Sequence, residues 1–127
     1  MSKIPETLRY SETHEWVEDL GDGRCRVGIT DYAQELLGDL VYVEAPAVGK
    51  AIRGGEACGV LESVKAAADF YAPVDGKVAA RNEALDDHPQ WLNEDPYGRG
   101  WIMELETHAD ACSGLMDAAA YGKLAES

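Results

Sequence analysis

The sequence predicts a small, mainly β domain with a helix near its C-terminus. Three observations carry that expectation. Short alternating apolar stretches, such as Cys25-Arg26-Val27-Gly28-Ile29, recur between Gly and Pro breaks. The string Ala-Pro-x-x-Gly-Lys occurs twice, at residues 45–50 and 72–77, an offset of 27. Near the end, Leu115, Met116, Ala119 and Ala120 fall on one side of a helical projection.

Taken in order, residues 8–20 place Leu8, Tyr10, Trp16 and Val17 among polar neighbours, which suits one or two edge strands. His14-Glu15 reads as a hydrogen-bonded surface pair. Leu20-Gly21-Asp22-Gly23 has the glycines of a hairpin turn. Asp31 to Gly38 reads as a short helix, with Asp31 as N-cap, Gln34 reaching back to it and Gly38 as the stop. Leu40 to Glu44 is a strand. Ala51-Ile52-Arg53 follows Pro46 and Gly49 and leads into the Gly54-Gly55 turn. Strands then run from Cys58 to Val64, through Phe70-Tyr71, and from Lys77 to Arg81. Residues 82–100 form a loop-rich stretch with one helical turn expected at 83–87, anchored by Trp91-Leu92. Residues 101–105 make the last strand, and Ser113 starts the final helix. The repeat implies two related halves, each a strand, an Ala-Pro break, a Gly turn and another strand. Chain length and the 46% hydrophobic share suit one domain over residues 1–127.

Lys65 falls between the two halves, where strand, short turn and strand put it at the tip of a hairpin. A single lysine on a turn is, by itself, an ordinary solvated charge. No Gly-rich phosphate loop, His cluster or nucleophile elbow is present to suggest catalysis. That pattern suits a carrier, in which an attached group supplies the chemistry.

Charge and cysteine content exclude other classes. A net charge of -13 argues against nucleic-acid binding, which needs clustered Lys and Arg. No apolar run reaches the roughly 18 residues of a membrane span. Cys25, Cys58 and Cys112 are widely spaced and odd in number, so buried free thiols are expected, without a zinc site or disulfide framework. The N-terminus has neither a secretory core nor an Arg-rich transit pattern. A bacterial cytoplasmic protein is expected, and a processed form of the mitochondrial matrix is compatible with the same residues.

Glu62-Ser63-Val64-Lys65-Ala66, then Asp69, then Tyr71-Ala72-Pro73-Val74-x-Gly76-x-Val78, resembles the lipoyl-lysine segment of the glycine cleavage H-protein family. So do Tyr10, His14-Glu15-Trp16-Val17, residues 27–34, Leu37-Gly38-Asp39, residues 41–44, Asn93, Asp95-Pro96-Tyr97-Gly98 and Gly100-Trp101. Ala68 and Ala45 stand where the family often has Ser and Leu. The resemblance implies a barrel–sandwich hybrid of two antiparallel sheets with short helices near residues 31–37 and 115–125. It implies lipoate, amide-linked to Lys65, on a non-catalytic monomer. The partners it implies are a pyridoxal-phosphate glycine decarboxylase (P protein), a tetrahydrofolate-dependent aminomethyltransferase (T protein), dihydrolipoamide dehydrogenase (L protein) and a lipoate-attaching enzyme. It also implies a cargo pocket presenting Glu15 and Asp69, with Thr13 as a polar neighbour. A biotin carrier fits poorly, because methionines do not flank Lys65. A lipoyl domain of a 2-oxo acid dehydrogenase usually has Asp before the lysine, where Val64 stands. An H-like lipoate relay or sulfur-metabolism carrier would share scaffold and lysine.

Overall fold

The computed structural model describes residues 3–108 and 110–126. Met1, Ser2, Ala109 and Ser127, which complete the expected 1–127 domain, lie outside the described residues. In chain order the elements are β1 (Arg9–Tyr10), β2 (Glu15–Gly21), β3 (Arg24–Ile29), α1 (Asp31–Leu37), β4 (Leu40–Glu44), β5 (Ala51–Ile52), β6 (Ala57–Ser63), β7 (Ala67–Tyr71) and β8 (Gly76–Arg81). A 3-10 turn (Glu83–Asp86), α2 (Trp91–Glu94), β9 (Met103–Glu106), a second 3-10 turn (Ala111–Gly114) and α3 (Ala118–Glu126) follow.

The strands form two antiparallel sheets, ordered β1-β2-β3-β9-β8-β5 and β4-β6-β7. Val27, Ile29, Val78 and Leu105 of the first sheet pack into one core with Leu40, Val43, Leu61 and Phe70 of the second. Alternation along each strand sends these side chains to the shared interior. This is the expected barrel–sandwich arrangement.

The repeated segments meet in space. Ala51 pairs with Lys77 and Ile52 with Gly76, and the Val78 N–H donates to the Lys50 carbonyl. That antiparallel ladder sets the ends of the two copies side by side. The two turns are not identical. Gly49 has φ 93, whereas Gly76 opens β8.

A second apolar cluster contains Leu8, Tyr10, Trp16 and Tyr121. Trp16 is fully buried opposite Gly28, where a Cβ would lie 2.7 Å from the indole. Only a glycine leaves room there. The Trp16 indole N–H donates to the Pro96 carbonyl at 2.9 Å, so the loop before β9 is tied to β2.

Four expectations need correcting. Thr30, not Asp31, caps α1: its hydroxyl accepts from the Ala33 N–H, while Asp31 in the first turn accepts from the Gln34 side chain. The final helix begins at Ala118 rather than near residues 113–115. Met116 is spent on a two-way backbone bridge with Tyr10, and Asp117 then accepts from the N–H groups of Ala120 and Tyr121. Of the cysteines, Cys25 is buried, while Cys58 and Cys112 are half-buried. Residues 91–94 form a short helix within the stretch expected as loop.

Tyr121 anchors α3. It is fully buried and stacks on Tyr10 with ring centres 4.7 Å apart. Its hydroxyl lies 2.7 Å from Thr30 Oγ1 and 2.8 Å from His14 Nδ1. The α1 cap, α3 and the start of β2 therefore share one hydroxyl. Burial lowers the His14 pKa, which suits a neutral ring accepting this bond. Tyr121→Phe keeps the stack and removes the hydroxyl that meets both buried Thr30 and half-buried His14, so it should cost about 1–2 kcal/mol. Equilibrium urea unfolding measures this, and an unchanged midpoint would refute the shared-hydroxyl role.

Candidate functional site

The hairpin of β6 and β7 turns at Val64-Lys65-Ala66. Ser63 shapes the turn: its hydroxyl accepts from the N–H groups of Lys65 and Ala66, each at 3.2 Å, and the Ser63 N–H donates to the Ala66 carbonyl at 2.8 Å. A serine side chain thus replaces the Asn-Gly chemistry that the turn lacks. The Val64 N–H donates to the Asp39 carbonyl at 3.0 Å, which ties the tip to the segment after α1.

That segment is held from below by Asn93. Its Oδ1 accepts from the Leu40 N–H, and its Nδ2 donates to the Gly38 carbonyl and to Gln34 Oε1, all at 2.9 Å. Gly38 has φ 80, and a Cβ there would come within 2.9 Å of Lys65 Cε. Its missing side chain both ends α1 and leaves a track for the lysine stem. Lys65 itself is exposed. A solvent-exposed primary amine laid along Gly38, on a tip pinned from both sides, fits an acyl group whose business is with other proteins.

Of the remaining sequence candidates, the structure joins two and separates the third. The carboxylate of Glu15 accepts from the hydroxyls of Ser11, at 2.6 Å, and Thr13. It also receives the backbone N–H of Tyr71 on β7. Glu15 is only 2% exposed, so the expected surface pair with His14 is wrong. The left-handed turn at His14, φ 71, directs the imidazole toward Tyr121 instead. Asp69 lies on the exposed face of β7. There it lines an open groove of about 630 Å³ with Tyr42, Cys58, Val60 and Arg81. Strand β7 connects the three positions: Asp69 is four residues from Lys65 and Tyr71 is six.

Burial pushes the Glu15 carboxyl up to about 7, against the pull of its three hydrogen-bond donors. Its proton binds more tightly in the folded chain than in the unfolded one. The resulting stability is fully present below the ordinary carboxylate range and is lost as pH rises through about 7. Glu15→Gln should therefore flatten the pH dependence of unfolding between about pH 4.5 and 7, a window worth on the order of 3 kcal/mol. Melting curves across that range provide the check. Parallel profiles for the two proteins would show that Glu15 ionises normally.

A two-sheet β scaffold that fixes a hairpin and offers one lysine amine from its tip defines a carrier module. Among the described residues no group of His, Cys, Asp and Glu is arranged to hold a metal ion. Among the described residues no helix is long and apolar enough to cross a membrane. The sequence profile of the family described as "Glycine cleavage H-protein" matches residues 8–127. The glycine cleavage system H protein of Halorhodospira halophila is 54% identical over 125 residues, covering 98% of this chain and 96% of its own. That of Laribacter hongkongensis is also 54% identical, covering 97% and 98%. The crystal structure of a glycine cleavage system H protein from Mycobacterium marinum superposes with a TM-score of 0.87 at 39% identity, over 94% of this chain and 97% of that one. The chain belongs to the glycine cleavage H-protein family. Members of that family carry lipoate covalently on a lysine and are non-catalytic carriers within glycine cleavage, and this chain is one of them.

Gly38 was legible as the helix stop, but the track it leaves for the lysine stem, and the roles of Ser63 and Asn93, were not. Ser63 and Gly38 sit beside recognisable turns. Asn93 acts across more than 50 residues of chain.

Proposed function

We propose that Lys65 is the residue that carries the lipoyl amide. On this reading the chain, acting as one domain and as a monomer in the bacterial cytoplasm, shuttles the aminomethyl group of glycine between enzymes. The partners are the pyridoxal-phosphate decarboxylase that loads the group, the tetrahydrofolate-dependent aminomethyltransferase that unloads it, and the dihydrolipoamide dehydrogenase that restores the disulfide. The observation that carries the assignment is the exposed Lys65 amine on a tip whose backbone is pinned by Ser63 and Asp39. When bound, lipoate supplies a dithiolane that accepts a group on reductive opening.

The chain's own residues present and shelter that group. Acylation removes the Lys65 charge and turns its stem into a long tether, which raises the local concentration of the reactive end near a partner. The fixed base matters because a tether is useful only if its origin is defined. Glu15, Thr13 and Asp69 form the cargo site on this reading. Strand β7 leads from the tip past Asp69 to the amide that holds Glu15. A cationic amine reaching Glu15 would favour its ionised form, and Ser11 and Thr13 hold the carboxylate in place.

Lys65→Arg retains a cation and removes the acylable amine. Incubated with lipoate, ATP and a lipoate ligase, it should gain no mass, while the wild type gains one lipoyl group. A lipoyl adduct on the Arg variant would overturn the assignment. Glu15→Gln should accept lipoate normally but lose aminomethyl cargo several-fold faster when the loaded carrier is isolated. Decay rates equal to wild type would remove Glu15 from the cargo site.

A further inference from the structure

Exposed large apolar side chains are concentrated beside Lys65. Leu36, Val41, Tyr42 and Val64 are 56%, 54%, 46% and 68% exposed. Other exposed apolar residues, Leu20, Val48 and Leu124, lie apart, on β2, the turn before β5 and α3. The concentration has a structural cause. The register between β4 and β6 shifts between Leu40 and Tyr42, so Val41 is an extra, bulged residue. Leu40 and Val43 face the core while Val41 and Tyr42 both face out, where simple alternation would bury one of them. The bulge adjoins the tip: Val41 is two residues past Asp39, whose carbonyl accepts from the Val64 N–H. Leu36 lies in the last turn of α1, two residues before Gly38, over which the Lys65 stem lies.

We infer that this apolar collar is the docking surface for the enzyme that acylates Lys65, one that delivers lipoate as an activated carboxylate. The inference rests on the reading that Lys65 is the acylated residue. Its argument is one of reach. The unmodified amine stands on a four-carbon stem. An acylating enzyme must draw Nζ into its own active site, so its entrance closes onto the residues flanking the tip. Enzymes that act afterwards meet the far end of a much longer tether and need no such contact. The collar is rimmed by the exposed acids Glu35, Asp39 and Glu62. The complementary entrance therefore has an apolar lip flanked by Lys or Arg. In the step it serves, the Nζ lone pair attacks the carbonyl carbon of an acyl adenylate. A C–N bond forms, the bond to the phosphate oxygen breaks, AMP leaves and nitrogen releases one proton. No electrons change hands.

The test uses the full unmodified chain with lipoate, ATP and a lipoate ligase, varying carrier concentration. Leu36→Gln, Val41→Thr and Val64→Thr combined should raise the KM for carrier about ten-fold, with kcat within about two-fold. Val64→Thr alone should raise it about three-fold. Leu20→Gln and Val48→Thr should leave it unchanged. Unchanged KM in the triple variant, with a native melting curve, would overturn the inference. Should the triple variant melt early, unchanged KM in both Val41→Thr and Val64→Thr would overturn it equally. Once lipoylated by excess ligase, the variants should be reduced by dihydrolipoamide dehydrogenase at the wild-type rate. A matching loss there would refute assignment to the acylating enzyme. Failure of the wild type to gain mass at Lys65 would instead sink the Lys65 reading.

Discussion

The carboxamide of Asn93 is the tie on which the working end of the molecule depends. One side chain satisfies the Leu40 amide, the Gly38 carbonyl and the Gln34 side chain at once. It thereby joins the excursion between β8 and β9 to α1 and to the start of β4. Gly38, Asp39 and Leu40 would otherwise be a short connector with unpaired backbone groups. Held in place, Asp39 can accept from the hairpin tip, and Gly38 can lie flat beneath the Lys65 stem. The lysine's position is thus set by residues far away in sequence and not by its own strand alone.

Rigidity and reach are divided between different parts of the structure. The two sheets and their common core supply a base that does not bend, because well-packed interiors have few alternative arrangements. All the freedom lies beyond the Lys65 backbone. The Glu15 cluster shows the opposite economy. A carboxylate is kept from water by two hydroxyls and an amide, so its charge is conditional on what comes near it.

How much of this could be read from the residues depends on distance along the chain. The paired Ala-Pro-x-x-Gly-Lys strings, the short helix at 31–37 and the lysine between the halves are local signals, and each was legible. The family resemblance added the sheet arrangement that periodicity could not specify. What escaped involved partners remote in sequence. Glu15 reads as a surface acid until Tyr71 and the Ser11 loop close over it. Tyr121 is hard to see in the sequence because the apolar stripe near the C-terminus runs through Leu115 and Met116, and Met116 belongs to a bridge with Tyr10. Thr30 outcompeted Asp31 as the cap because its hydroxyl also meets Tyr121.

The bulge in β4 has a consequence for how other chains can meet this one. In the three-stranded sheet β4 is an outer strand, and an outer strand offers unpaired amides and carbonyls to any extended peptide. An extra residue breaks the even spacing of those groups and twists the strand. A visiting strand finds no regular ladder to extend beside the lysine. Recognition at that edge therefore falls to side-chain shape and charge, which differ from protein to protein, and not to the backbone, which every protein shares.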